Sequence, residues 1–430
     1  MESKKYKLIN ALIIKEFESA TRDKKYIIVH KKKHWIIAEE LYLILSFLDG
    51  ENTLSDICCK LQSLGISSTA EDLEKIIKTH IVSKGIVEGY EGEAENEKKS
   101  KYFWFQVNIL KESLIKKLSF TKYPYNKVFS LLVLILSIPG FFIILRSIAL
   151  PDFYLMIPTV SYKDWMIITL LIISSGYIHE LGHAGASMHY GIVPYSIGFA
   201  FYMTMPVLFA DVSGIWVLKR KQRAVVDLGG IYFEHLYLCT LAIITIITKS
   251  NIILIATVIR YIGLIYNFNP FLKMDGYWLF TDLSGISNLH DTTVRYIKAK
   301  LLRPFSISIY EPHNELTSKS KIVFYLYVMI SLVFFIFFAT LLKNITLTAF
   351  ELLPFAKEDL LNFFELGSIM EILKSIAIYF KNYFMVFISA FLVIRIIYTT
   401  FRNITLLILE VRNKKSQNTQ ISTKLPVSRE

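Results

Sequence analysis

Apolar residues in this chain gather into long blocks rather than short alternations, and the blocks govern the reading of everything else. Windows of roughly 20 apolar residues with few charges are long enough for a helix to cross a bilayer. They predict six membrane helices, at about 128–148, 164–188, 224–248, 251–270, 321–342 and 383–403, with 368–382 extending the last. Ahead of them the pattern is finer. Residues 26–90 read as a small mixed domain that opens with a hairpin, 26–29 and 35–37, flanking His30, three lysines and His34. An apolar stripe of Leu41, Ile44, Leu45 and Leu48 predicts a helix over 39–48 that stops at the Asp49-Gly50 turn signal. Thr53 and Thr69 each precede an aspartate, Asp56 and Asp72, at capping-box spacing, and each starts a further helix.

The intervening stretches complete the layout. Residues 89–101 alternate glutamate, glycine and lysine, as a solvated linker does. Residues 101–127 mix aromatic and basic side chains (Trp104, Phe120, Tyr123, Tyr125, Lys116, Lys117) and read as an interfacial segment leading into the first span. The expected fold is mainly α. It comprises a small α+β domain and linker at 1–100, the interfacial segment at 101–127, a polytopic membrane domain at 128–410 and a tail at 411–430.

Charge refines this picture. The formal net charge of +12 over 430 residues could indicate a polyanion partner. About 39 of the lysines and arginines, however, fall in segments assigned to one side, about 5 on the other and about 4 within spans. That asymmetry is the positive-inside pattern and requires no nucleic acid. Lys219, Arg220, Lys221 and Arg223 before the third helix, with Arg402, Arg412, Lys414 and Lys415 after the sixth, put both termini in the cytoplasm of a cell-membrane protein. The first 25 residues have no apolar signal-peptide core. Cys58, Cys59 and Cys239 form no CxxC or secreted disulfide spacing.

The sharpest chemical signal is His179-Glu180-Leu181-Gly182-His183 on the second predicted helix. Residues four apart share a helical face, so both imidazoles can reach one ion while Glu180 borders its open position. Two histidines and a glutamate at the end of an apolar helix are costly unless they bind something. A second motif, Asn267 through Pro270 to Asp275 and Gly276, stands where the fourth helix ends. If the amino terminus is inside, helices two and four run the same way, and Asp275 reaches the level of His179 and His183. Pro270 and Gly276 would break the helix so that Asp275 turns toward the metal, completing a His, His, Asp zinc site. In this chemistry the metal acidifies a water, and Glu180 takes its proton and passes it to the leaving amine.

With both motifs in order, residues of about 170–290 resemble the site-2 protease family of intramembrane zinc metalloproteases, and within it the bacterial peptide zinc metalloprotease group. The resemblance implies His179, His183 and Asp275 as ligands, Glu180 as general base and Asn267 orienting substrate or the developing oxyanion. Two departures stand out. Leu272 and Met274 replace the usual proline and leucine, and Gly229-Gly230 runs on to Glu234 where many members carry glycine-proline and then asparagine.

The remaining features are secondary. Residues 195–216 resemble the family's hairpin beside the active site, whose free edge could hold an extended peptide. Asp211 is expected to cap a loop rather than orient a histidine. Glu234 and Arg260 should share a depth of roughly 15 Å from the cytoplasmic boundary and pair as a structural ion pair. His189 and His235 are expected outside the metal set, and nothing in the sequence places His290 or Tyr277 at it. Residues 24–90 resemble the small winged-helix PqqD-like domain, which implies binding of a leader peptide on its strand edge and helix. The leading expectation is therefore a membrane zinc metalloendopeptidase cleaving a peptide or membrane-associated precursor near the cytoplasmic face, in maturation or export of a ribosomally made peptide. The alternative is a nonproteolytic peptide-binding component of a modification or export system, which would have no need of Glu180. A secondary transporter fits less well, since the halves show no repeat.

Overall fold

A computed structural model of the chain describes residues 4–90, 103–302 and 316–362, except for positions 11, 20–23, 31–32, 158–159, 203–204, 271 and 287, with scattered positions beyond 362. It is mostly helical, with a small α+β region at the amino-terminal end. Residues 1–331 form one compact unit and 332–430 a second. The predicted helix at 383–403 lies almost entirely outside the described residues.

The amino-terminal region runs β1 (Lys5–Lys7), β2 (Ile13–Phe17), β3 (Lys25–His30), β4 (Lys33–Ala38), α1 (Glu39–Ser46), β5 (Asp49–Thr53), α2 (Leu54–Ser63) and α3 (Ala70–His80). β2, β3 and β4 form an antiparallel sheet in that order, with Ile28 opposite Trp35 and Tyr26 opposite Ile37. β1 pairs separately with β5. The Thr53 hydroxyl accepts the Asp56 amide while the Asp56 carboxylate accepts the Thr53 amide, so α2 begins with a complete capping box. Thr69 caps α3 through its hydroxyl alone, which accepts the Asp72 amide. Asp49 does more than end α1: its carboxylate accepts the amides of Glu51 and Asn52 and turns the chain directly into β5. Tyr6, Leu45, Leu61, Leu73 and Ile77 fill the core between sheet and helices.

Next come β6 (Phe103–Lys111), α4 (Glu112–Lys117), α5 (Lys127–Ala149), α6 (Pro151–Met156), α7 (Tyr162–His189), β7 (Ser196–Tyr202), β8 (Met205–Ala210), α8 (Arg220–Thr248), α9 (Asn251–Tyr266), α10 (Asp275–Ser284), α11 (Leu289–Leu302) and α12 (Ser318–Asn362). Among the described residues, four helices are long and apolar enough to cross a membrane: α5, α7, α8 and the 318–352 part of α12. α5 presents Leu131, Leu132 and Leu136 outward, as a lipid-facing helix should. α7 changes character along its length, with Met166 and Leu170 exposed but nearly every residue from His179 to Met188 buried against protein.

Two details go beyond the expectation. The helix expected at 251–270 ends at Tyr266, so α9 has 16 residues. At 1.5 Å per residue it spans about 24 Å, short of the roughly 30 Å hydrocarbon core. Pro270, which lacks an amide donor, lies in the turn that follows. The segment at 101–127, expected as an interfacial lead-in, contains β6, which pairs antiparallel with β7 to make a sheet of order β6-β7-β8. Phe105 faces Phe201 across some ninety-six positions of sequence, a partnership that local pattern does not reveal.

α7 and α8 pack at the centre of the unit. The Tyr125 hydroxyl donates to the carbonyl of Gly182 on α7 at 2.7 Å and lies 3.1 Å from that of Gly229 on α8, tying the two helices at their crossing.

Candidate metal centre

His179 and His183 lie one turn apart on the buried half of α7, and each has its Nδ1 engaged. His179 Nδ1 is 2.8 Å from Glu234 Oε2, and His183 Nδ1 is 2.8 Å from the Val226 carbonyl. Both partners on α8 can only accept, so each ring carries its proton on Nδ1 and presents the Nε2 lone pair. The two Nε2 atoms are 3.2 Å apart. Asp275 closes the group, with Oδ2 2.8 Å from His179 Nε2 and Oδ1 3.4 Å from His183 Nε2.

Ligands about 2.0–2.1 Å from a tetrahedral zinc stand roughly 3.3 Å from one another. The three contacts bracket that value, and two imidazoles with a carboxylate suit zinc chemically. The facing wall supplies a further test. A Cβ built on Gly230 of α8 would lie 2.4 Å from His183 Nε2 and 2.5 Å from His179 Nε2. Glycine thus leaves open the space against the two nitrogens that a side chain would fill. Among the described residues, these three form the one group of such side chains converging within 4.8 Å.

Asp275 reaches the group from beyond the break in the helix after Tyr266. It is the first residue of a new helix, α10. The loop before it is fastened by the Gly276 amide, which donates to the Asn267 carbonyl at 3.1 Å, and by Tyr327, whose hydroxyl donates to the Pro270 carbonyl at 2.9 Å. A Cβ on Gly276 would meet the Asn267 carbonyl oxygen at 2.6 Å, so this close approach also requires glycine. Asn267 is buried, and its main chain shapes the turn that delivers Asp275. The far end of α10 is gripped from α8. Arg220 donates to the carbonyls of Asp282 and Leu283, and Arg223 pairs with the Asp282 carboxylate at 2.7 Å. α10 is therefore fixed at both ends, which sets where its first carboxylate points.

Glu180 is buried beside the group, with Ala210 at the end of β8 near its carboxylate. Among the described residues β8 pairs only with β7, and Ala210 at its end is the part of the strand near Glu180. Glu234 is wholly buried, and Arg260 Nε approaches its Oε1 to 2.5 Å. The approach is an ion pair rather than an aligned hydrogen bond, since that nitrogen has no hydrogen-bond partner. The contact between Glu234 and His179 is absent from the sequence reading, which placed Glu234 only against Arg260. Its one sequence signal is an acidic residue within an apolar span.

The other candidates lie elsewhere. Asp211 accepts the Ser213 amide and hydroxyl and caps its loop. His189 packs near the rings of Tyr125 and Tyr190, and His235 contacts Ser137 and Tyr261. Tyr277 is buried against Phe280, Phe324 and Tyr327 on α10 and α12.

Sequence gives no hint of the junction with the amino-terminal region. His34 stacks on Trp216 with ring centroids 4.9 Å apart, and Trp216 meets Trp278 of α10 edge-on at 6.4 Å. The Arg223 guanidinium lies over both Phe17 and Trp216. Burial lowers the His34 pKa, so the ring meets Trp216 as neutral imidazole.

These features define a class: a mostly helical membrane protein whose buried helices bring together a two-histidine, one-aspartate group that could hold a metal. Comparison with known proteins agrees with that class. A protein of Bacillus subtilis (strain 168), "Putative peptide zinc metalloprotease protein YydH", is 28% identical over 118 residues. The match covers 27% of this chain and 47% of that protein, so the chain spans about half the length of this relative. No family model matches the chain, and no solved structure matches it.

Proposed function

We propose that this protein is a membrane zinc metalloendopeptidase of site-2 protease type that cleaves a peptide or membrane-associated precursor near the cytoplasmic face. The observation that carries the proposal is the convergence of His179 Nε2, His183 Nε2 and an Asp275 oxygen from α7 and α10 on one point. These residues would hold the zinc, which when bound supplies Lewis acidity toward water and the scissile carbonyl. Glu180 takes the proton of the attacking water and delivers it to the leaving amine. The site lies within about three turns of Arg220, Lys221 and Arg223 at the start of α8, and that basic end supports a cytoplasmic location with both termini on the same side.

Two open strand edges suit a peptide substrate. Among the described residues β8 is an edge strand whose Ala210 end lies near Glu180, where an extended backbone would pair and present its carbonyl. In the amino-terminal region, β4 is also an edge strand, and a cavity of about 730 Å³ lies beside it, lined by Trp35, Ile37, Leu41, Ile44, Ile76 and Lys84 among others. A leader segment held there would raise the local concentration of its precursor at the protease.

The test compares small peptides by mass spectrometry in cells carrying the natural protein and cells carrying Glu180→Gln. A precursor should accumulate with the variant, while the purified variant keeps its zinc. Undiminished processing by Glu180→Gln overturns the assignment of the base.

A further inference from the structure

Glu234 has no part in the chemistry just described, yet it is a wholly buried carboxylate in contact with a proposed ligand. We propose that Glu234 is a positioning residue for the metal: it holds the His179 imidazole in the tautomer and rotation that present Nε2 to the ion, and Ser175 and Arg260 hold the carboxylate in turn. The inference rests on the metalloprotease reading and deepens it.

The two carboxylate oxygens divide their work. Oε2 stands 2.8 Å from His179 Nδ1, and because a carboxylate only accepts, the ring proton is held on Nδ1. Oε1 accepts the Ser175 hydroxyl at 2.6 Å and faces Arg260 Nε. Ser175 precedes His179 by one turn of α7, so the carboxylate is braced by the same helix whose histidine it orients. A plain ion pair with Arg260 would engage Oε1 and leave Oε2 without a role. His183, by comparison, is held by a neutral peptide carbonyl. The site therefore places a carboxylate behind one ligand and a peptide carbonyl behind the other. A carboxylate behind an imidazole makes its far nitrogen a stronger donor and adds charge complementary to a divalent cation. Arg260, with its side chain about a quarter exposed on α9, offsets the charge that burial would otherwise penalise.

The test measures zinc affinity by chelator competition on the purified full chain, with the visible absorption of the cobalt-substituted protein as a second readout. Three forms are compared: the natural protein, Glu234→Gln, and the double variant Glu234→Met with Arg260→Met. The double variant removes the pair without stranding a charge, so a merely structural role would leave the metal unaffected. Positioning predicts zinc binding weaker by about tenfold in Glu234→Gln and by up to about 100-fold in the double variant. The cobalt spectrum should change in both. If the double variant folds and binds zinc as tightly as the natural protein, Glu234 is structural only and the inference falls. Should the double variant fail to fold, unchanged affinity and spectrum in Glu234→Gln refute it equally. If the natural protein binds no divalent metal, the metalloprotease reading itself fails first, and with it this inference.

Discussion

Gly230→Ala is the smallest change that tests the geometry of the centre. The glycine lies within α8 at ordinary helical dihedrals, so alanine there should favour the helix by about 1 kcal/mol in the absence of neighbours. The neighbours reverse the sign. The added methyl would sit 2.4 Å from His183 Nε2, 2.5 Å from His179 Nε2 and 2.6 Å from His179 Cδ2. Ordinary carbon contacts begin near 3.5 Å, so the rings must retreat by about 1 Å. Zinc–nitrogen bonds near 2.0–2.1 Å tolerate only about 0.2 Å of displacement, so at least one imidazole is lost as a ligand. The expected result is zinc affinity reduced at least about 100-fold, equivalent to about 2.7 kcal/mol, in a protein whose helix content is unchanged. Zinc stoichiometry by elemental analysis, chelator titration and circular dichroism on the same preparation measure both parts. A Gly230→Ala protein that keeps one tightly held zinc per chain would refute the placement of the two rings against α8.

Three further outcomes follow from the same contacts. Asp275→Ala should reduce zinc retention by at least tenfold in dialysis against a chelator, and unchanged stoichiometry would remove it from the ligand set. Arg223→Ala strands the buried Asp282 carboxylate and should cost about 3–5 kcal/mol of stability, read as a lowered Tm, with an unaltered Tm arguing against the pair. For the junction at His34, burial lowers the folded-state pKa, so the neutral ring's contribution is complete above the ordinary value of 6.5 and is lost as pH falls below it. Hydrogen exchange around Trp216 should therefore accelerate as pH drops below about 6.5 in the natural protein but not in His34→Phe, and identical profiles would count against this contact.

The sequence carried the chemistry in a form that could be read without coordinates. Histidines at i and i+4 share a helical face whatever surrounds them, and a glutamate between them must lie beside that face. The capping box at Thr53 and the hydroxyl cap at Thr69 were legible for the same reason, since each is closed by atoms three residues apart. The spans at α5, α7 and α8 followed from length and apolarity alone. β6 was missed because its partner β7 is remote in sequence, and a strand is stabilised by its neighbour rather than by itself. The fourth helix was drawn as far as Pro270 because that is the first residue that breaks a helix by itself, whereas the turn that ends it at Tyr266 is fixed by Tyr327 and Gly276.

What local order along the chain decides is which atoms are available: two imidazoles on one face, a carboxylate beside them and an aspartate after a helix break. Only packing decides which of them meet. Glu234 looked like a partner for Arg260 at a shared depth, and the α7–α8 crossing made it also the partner of His179. Gly230 looked like half of a glycine pair, and its missing side chain is the space against both ligand nitrogens. The physical reason is range. Helical periodicity and capping act over three or four residues, whereas a metal site is assembled from groups nearly a hundred residues apart, at separations that a single methyl group is enough to disturb.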